Sequence, residues 1–196
     1  ERIQLGKTGA VLAELGVSNE AFGKSIQTST KMFGQSVTEA GKTAIEIKEI
    51  ATNLGLPVDE LAGKYASMGP SLAKLGSQGT KAFKDLAHIS KITGMEMESV
   101  LRITDKFDTF EGAADQAGKL NAALGGNFVN AMDLMMATDP GERFGMIRDA
   151  LSTAGLAFDD MTYYQKLAYK EALGLESVGD LALLMSGNFD TLSGGM

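Results

Sequence analysis

The sequence predicts an all-α fold, a run of short to medium helices joined by glycine-capped turns with no β-sheet. Three observations predict it. Glycine followed by an apolar residue recurs at Leu15-Gly16-Val17, Leu54-Gly55-Leu56, Thr93-Gly94-Met95, Ala154-Gly155-Leu156 and Leu173-Gly174-Leu175. Glycine after a helix C-cap takes the left-handed conformation without a Cβ penalty, and the next apolar residue can fold back on the last turn. Leu12, Ile50, Ile89, Leu151 and Tyr169 are the back-contact candidates. Helix-start residues follow soon after most of these stops, and the apolar spacing is helical rather than alternating.

Taken in order, a first helix over 6–15 closes at Gly16, and Ser18 caps a second over 19–33. Ser36-Val37-Thr38-Glu39 is a capping box opening 37–54, where Ile45, Ile47, Ile50 and Leu54 form a broad apolar face closed by Gly55. Pro57 presets the backbone for a helix over 58–68. Helices over 80–93 and 97–106 flank Gly94, and Asp108, three before Glu111, opens 110–124. A helix over 128–137 is followed by Asp139-Pro140-Gly141-Glu142, which starts 140–154; there Phe144, Ile147, Arg148 and Leu151 share one face. Asp159 and Ser177 start the last two, 160–173 and 177–186. One continuous coiled coil is excluded by 24 glycines and so many stops.

Gly16, Gly55 and Gly94 are 39 residues apart, and aligning them superposes Val11, Ile50 and Ile89, then Phe22, Leu61 and Val100. This weak repeat ends there, since the next stops follow at 61 and 19 residues. Charge divides the chain as well. Residues 1–94 carry 11 Lys+Arg against 9 Asp+Glu, and residues 95–196 carry 7 against 16. The expected organisation is therefore an N-terminal helical part, 1–107, holding the repeat, and an acidic C-terminal helical part, 108–196.

Composition excludes much chemistry. With no cysteine in its 196 residues the chain has no disulfide, thiolate metal site or cysteine nucleophile. The longest charge-free stretch, Leu120 to Met132, is 13 residues, short of the about 18 a membrane span needs. An acidic half opposes approach to phosphates, so no specific nucleic-acid binding is expected. Glu1-Arg2-Ile3-Gln4 shows neither an initiator methionine nor a signal pattern, so the chain reads as a piece of something longer.

The remaining chemical candidates each fall short. Gly6-Lys7-Thr8, Gly23-Lys24-Ser25 and Gly41-Lys42-Thr43 look like phosphate-loop tails, but the glycine required five residues earlier is replaced by Glu1, Ser18 and Ser36. They read instead as small and cationic positions on helix surfaces. His88, the single histidine, has Asp85 one turn back and no partner nucleophile fixed by sequence. It reads as a helix-surface histidine. Glu98-Ser99 and Glu176-Ser177 resemble the Glu-Ser pair of lytic transglycosylases, but both glutamates stand where a helix start favours negative charge. After the second, Val178-Gly179-Asp180-Leu181 stands where that family has a Gly-Leu-Met-Gln segment. Met132, Met135, Met136 and Met146, and the aromatic run from Met161 to Tyr169, read first as core. No catalytic, cofactor-binding or metal-binding residue is assigned, and no cofactor.

Longer phrases carry a resemblance. Gly112 to Phe128, Met132-Asp133-Leu134-Met135, Asp139-Pro140-Gly141-Glu142-Arg143, Tyr163-Tyr164-Gln165-Lys166 and Ala172 to Leu181 resemble tail tape-measure proteins of tailed bacteriophages, best over residues 80–190. The resemblance implies a structural virion protein, mostly helical and free of cofactors. It implies several copies in the tail tube that set tail length and leave before the DNA. Tail-tube and tail-tip or baseplate hub proteins are the partners it implies, alongside other copies of the chain. The location implied is the virion tail, with the host cytoplasm during assembly. Because length-measuring regions are long unbroken helices, the many stops place this segment in a compact or jointed part, at the tail tip or baseplate. The readings of other classes are a peptidoglycan-cleaving domain and a free-standing helical adaptor.

Overall fold

Helix follows helix along the chain, with no strand among the described residues, which in this computed structural model are Gly6 and 17–186. The helices are α1 (Asn19–Lys31), α2 (Val37–Leu54), α3 (Val58–Leu72), α4 (Gly79–Thr93), α5 (Met97–Asp105), α6 (Phe110–Leu124), α7 (Ala131–Met136), α8 (Pro140–Thr153), α9 (Tyr163–Leu173) and α10 (Val178–Ser186). Two 3-10 turns, Ala73–Gln78 and Phe158–Asp160, precede α4 and α9. The fold class is all-α. The helix expected over 6–15, with its stop at Gly16, lies outside the described residues except for Gly6, which is helical.

The local signals act as expected at most junctions. Ser36 accepts from the Glu39 amide while Glu39 accepts from the Ser36 amide at 2.7 Å, closing the capping box of α2. Asp139 caps the Gly141 and Glu142 amides with Pro140 at the first position of α8. At the other ends Gly55, Gly94, Gly155 and Gly174 all have positive φ. At Gly174 (φ 65°) the Leu175 amide reaches back to the Lys170 carbonyl at 2.9 Å, which satisfies a carbonyl that the helix itself leaves open.

Several boundaries differ, each for a local reason. α3 runs to Leu72 rather than 68, because Pro70 stands in its last turns and deletes only one helical bond. α9 begins at Tyr163 rather than 160. Thr162 and Gln165 form its capping box, and Asp159 falls in the 3-10 turn. α7 begins at Ala131 rather than 128, since the Asn130 side chain caps the Met132 and Asp133 amides. Thr109, not Asp108, caps α6 by accepting from the Gly112 amide.

The chain divides into two compact units, residues 1–84 and 85–196, the division falling within α4. The expected boundary at 107/108 lies between α5 and α6.

In the first unit α1, α2 and α3 pack on one another. The inward face of α2 is built from Ala40, Gly41, Thr43, Ala44, Ile47 and Ala51, whereas Ile45 is exposed. The expected face holds for Ile47, which is buried, and in part for the half-buried Ile50 and Leu54, while the small residues beside Ile47 let neighbouring helices approach closely. α1 and α3 do so at Gly69, where a methyl group would come within 2.5 Å of Thr28 Cγ2. At the centre the Tyr65 ring lies 5.7 Å from that of Phe33 and 5.0 Å from that of Phe83. In the second unit α6 packs on α7 and α9, α8 on α5, and α10 on α8 and α9.

Candidate functional site

The best-organised polar centre of the second unit is built on Arg143. Asp139 and Pro140 start α8 so that residue 143 points inward with Phe144, Ile147 and Leu151, leaving the arginine only 2% exposed. A buried guanidinium must have its donors satisfied, because taking a charge from water costs several kcal/mol. Nε donates to the carbonyls of Leu134 at 2.8 Å and Ala137 at 2.9 Å. Nη2 donates to that of Met135 at 3.4 Å, and Nη1 to the Thr104 carbonyl and to Asp108 Oδ1 at 2.7 Å. The acceptors are C-terminal carbonyls of α5 and α7, groups that have no partner within their own helices. Asp108, expected to open α6, is instead the counter-ion of Arg143.

The neighbouring loop is held by one side chain. Asn121, near the end of α6, accepts from the Phe128 and Val129 amides at 2.8 and 2.9 Å and donates to the Val129 carbonyl at 2.8 Å. Arg143 and Asn121 therefore fix the two ends of the α6–α7 hairpin, whose outer side carries Phe110, Phe128, Met132 and Met136, all exposed. The expectation that the methionines are core is corrected for Met132 and Met136. α7 has only six residues and turns one of them, Leu134, fully inward. The aromatic run divides similarly. Met161 and Tyr169 are buried, and the Tyr169 hydroxyl donates to the Ala123 carbonyl at 2.7 Å, but Tyr163 and Tyr164 are exposed.

The first unit has a buried hydroxyl network. Tyr65 Oη lies 2.8 Å from Ser29 Oγ and 3.0 Å from Thr80 Oγ1. Gln35 Nε2 donates to Thr80 Oγ1, and Thr43 Oγ1 donates to Gln35 Oε1. Burial pushes the Tyr65 phenol above its ordinary value of 10, since the anion would lose its hydration.

The candidates from the sequence are scattered. Lys7 and Thr8 lie outside the described residues. Ser25, Gly41 and Thr43 are buried rather than on the surface, and Ser25 Oγ donates to the Ala21 carbonyl. Both glycine-lysine pairs stand inside helices, where the backbone amides are already bonded and cannot cradle a phosphate. His88 is half-buried on α4. The two Glu-Ser pairs are brought near each other by Arg102, whose Nη2 donates to Ser99 Oγ at 3.0 Å and pairs with Glu176 Oε1 at 2.9 Å. The Glu176 side chain is 72% exposed. Ser177 and Asp180 cap each other at the start of α10.

Among the described residues no three His, Asp or Glu side chains converge as a metal site, and no helix is long and apolar enough to cross a membrane. Sequence reasoning missed the role of Arg143. The available signal was a single cation beside Phe144 in the inward stripe of an amphipathic helix. Comparison with protein families, with characterised proteins and with solved structures gives no match.

Proposed function

We propose that the chain is a compact, jointed segment of a tail tape-measure protein of a tailed bacteriophage, a structural component of the virion without catalytic activity of its own. The observation that carries the reading is where the family-like phrases fall. Gly112 to Phe128 forms α6 and the Asn121-held loop, Met132 to Met135 forms α7, and Asp139 to Arg143 supplies the α8 cap and the buried arginine. These three phrases thus coincide with one interlocked corner, while Tyr163 to Lys166 starts α9 and Ala172 to Leu181 spans the turn from α9 into α10. Its working partners are other copies of the chain and the tail-tube and tail-tip or baseplate hub proteins, in the virion tail after assembly in the host cytoplasm.

The alternative, peptidoglycan cleavage by Glu176, is disfavoured by the site itself. A carboxyl that acts as a general acid needs shelter from water beside its substrate, and Glu176 is an exposed partner of Arg102.

The test is a reconstruction of intact tails with this segment traced. Helical density matching α5–α8 in the tube or at the tip is expected, and absence of the segment from purified tails would overturn the reading. In parallel, both the native chain and Glu176→Gln should leave peptidoglycan untouched. Muropeptide release by the native chain, lost in the glutamine variant, would establish the enzymatic reading instead.

A further inference from the structure

The outer face of the α6–α7 hairpin carries large apolar side chains that no part of the second unit covers. The hairpin is antiparallel. At one end Asn121 holds Phe128 and Val129, and at the other Arg143 joins Asp108, just before α6, to the Met135 carbonyl near the end of α7. Phe110 and Met136 therefore stand at the same end, 68% and 71% exposed. Met132 and Met136 stand one turn apart on α7 with Phe128 in the extended loop before it, while Leu134 is the α7 residue turned inward. Each such side chain forgoes about 1.5–3 kcal/mol relative to full burial. Methionine suits an adaptable contact, being unbranched and polarisable.

The chain segment that carries the strip is acidic. From Phe107 to Ile147 the only basic residues are Lys119 and Arg143, and Lys119 pairs with Asp115 at 2.7 Å while Arg143 is buried. Glu111 and Asp133 adjoin Phe110 and Met132 in the chain. A second copy docking by the same face would press like charges together, and nucleic acid or an anionic lipid surface would be repelled. Exposed apolar side chains on an acidic segment are complementary to a helix with an apolar stripe and lysine or arginine flanks.

We infer that the outer face of α6–α7 is the docking surface for a basic amphipathic helix of a partner protein. The inference is independent of the tail assignment, because it rests only on this face.

It is tested by calorimetric titration of the full chain with three synthetic 18-residue peptides. One is an amphipathic Leu/Lys helix, one its Leu/Glu counterpart, and one the Leu/Lys composition scrambled to destroy the apolar stripe. The Leu/Lys helix should bind at least about tenfold more tightly than either of the others. Met132→Ser/Met136→Ser should weaken it about tenfold, and Met32→Ser, an exposed methionine of α1's C-cap, should not. These positions are on the surface, so circular dichroism should be unchanged. Absence of binding, equal binding of the scrambled peptide, or no effect of the double variant would overturn the inference. So would sedimentation showing that the double variant turns a dimer into a monomer, since a second copy would then be the occupant.

Discussion

The Tyr65 hydroxyl has two close hydroxyl neighbours and no access to water, so its removal separates hydrogen bonding from packing. Tyr65→Phe keeps the ring contacts with Phe33 and Phe83 but leaves Ser29 Oγ, on a fully buried residue, without its tyrosine partner. Leaving a buried polar group unpaired costs about 1–3 kcal/mol, and the variant should lose about that much in urea unfolding. Adding Ser29→Ala removes the orphan, so the double variant should lose less than the sum of the two single ones. Strict additivity would show that the two hydroxyls are not coupled. None of this was legible in the sequence. Ser29, Thr43 and Thr80 look like ordinary surface polar residues, and only the meeting of α1, α2, α3 and α4 around one tyrosine buries them.

At the scale of the elements, one substitution made at three glycines separates three effects. Gly55 has φ 65° and open space around a would-be Cβ, so Gly55→Ala should cost about 1 kcal/mol from backbone strain alone. Gly118 lies on the exposed face of α6 with nothing within 4 Å, and Gly118→Ala should stabilise by about 0.5–1 kcal/mol. Gly112 is in the first turn of the same helix, where a methyl would come within 2.5 Å of the Lys106 carbonyl oxygen and 2.9 Å of Thr109 Oγ1. Backbone must shift and the cap is disturbed, so Gly112→Ala should cost about 1–2 kcal/mol despite its better helix propensity. Thermal melts that rank the three otherwise would contradict these assignments. The helices themselves were largely legible, because caps such as Ser36 and Asp139 and stops such as Gly55 and Gly174 act within a few residues. Which face each helix buries was less so. The inward stripe of α2 is made mostly of small residues, Ala40, Gly41, Thr43, Ala44 and Ala51, and Arg143 finds Thr104 across 39 residues. No window of sequence contains both partners.

For the whole molecule the buried phenols contribute to the loss of stability at alkaline pH. Burial raises the Tyr65 and Tyr169 phenols above 10 in the folded chain, whereas the unfolded chain titrates at the ordinary value. Their contribution is therefore complete below pH 10 and is lost as pH rises through the higher folded values. The melting midpoint should be insensitive to these groups at neutral pH and fall above about pH 10, less steeply in Tyr65→Phe. Parallel curves for the two proteins would exclude Tyr65 as a cause. The corners between helices carry a different consequence, for how the chain lengthens when pulled. Glycine passes readily from the left-handed to the right-handed region, so the α9–α10 corner at Gly174 can straighten, with no proline from Leu173 to Val178 to oppose it. At the Gly55 corner fusion into one helix is opposed by Pro57. Pro57 lacks an amide hydrogen, and its ring would strike the Asn53 carbonyl in a continuous helix. Under tension the molecule would extend at some corners and keep others bent, its joints set by single residues.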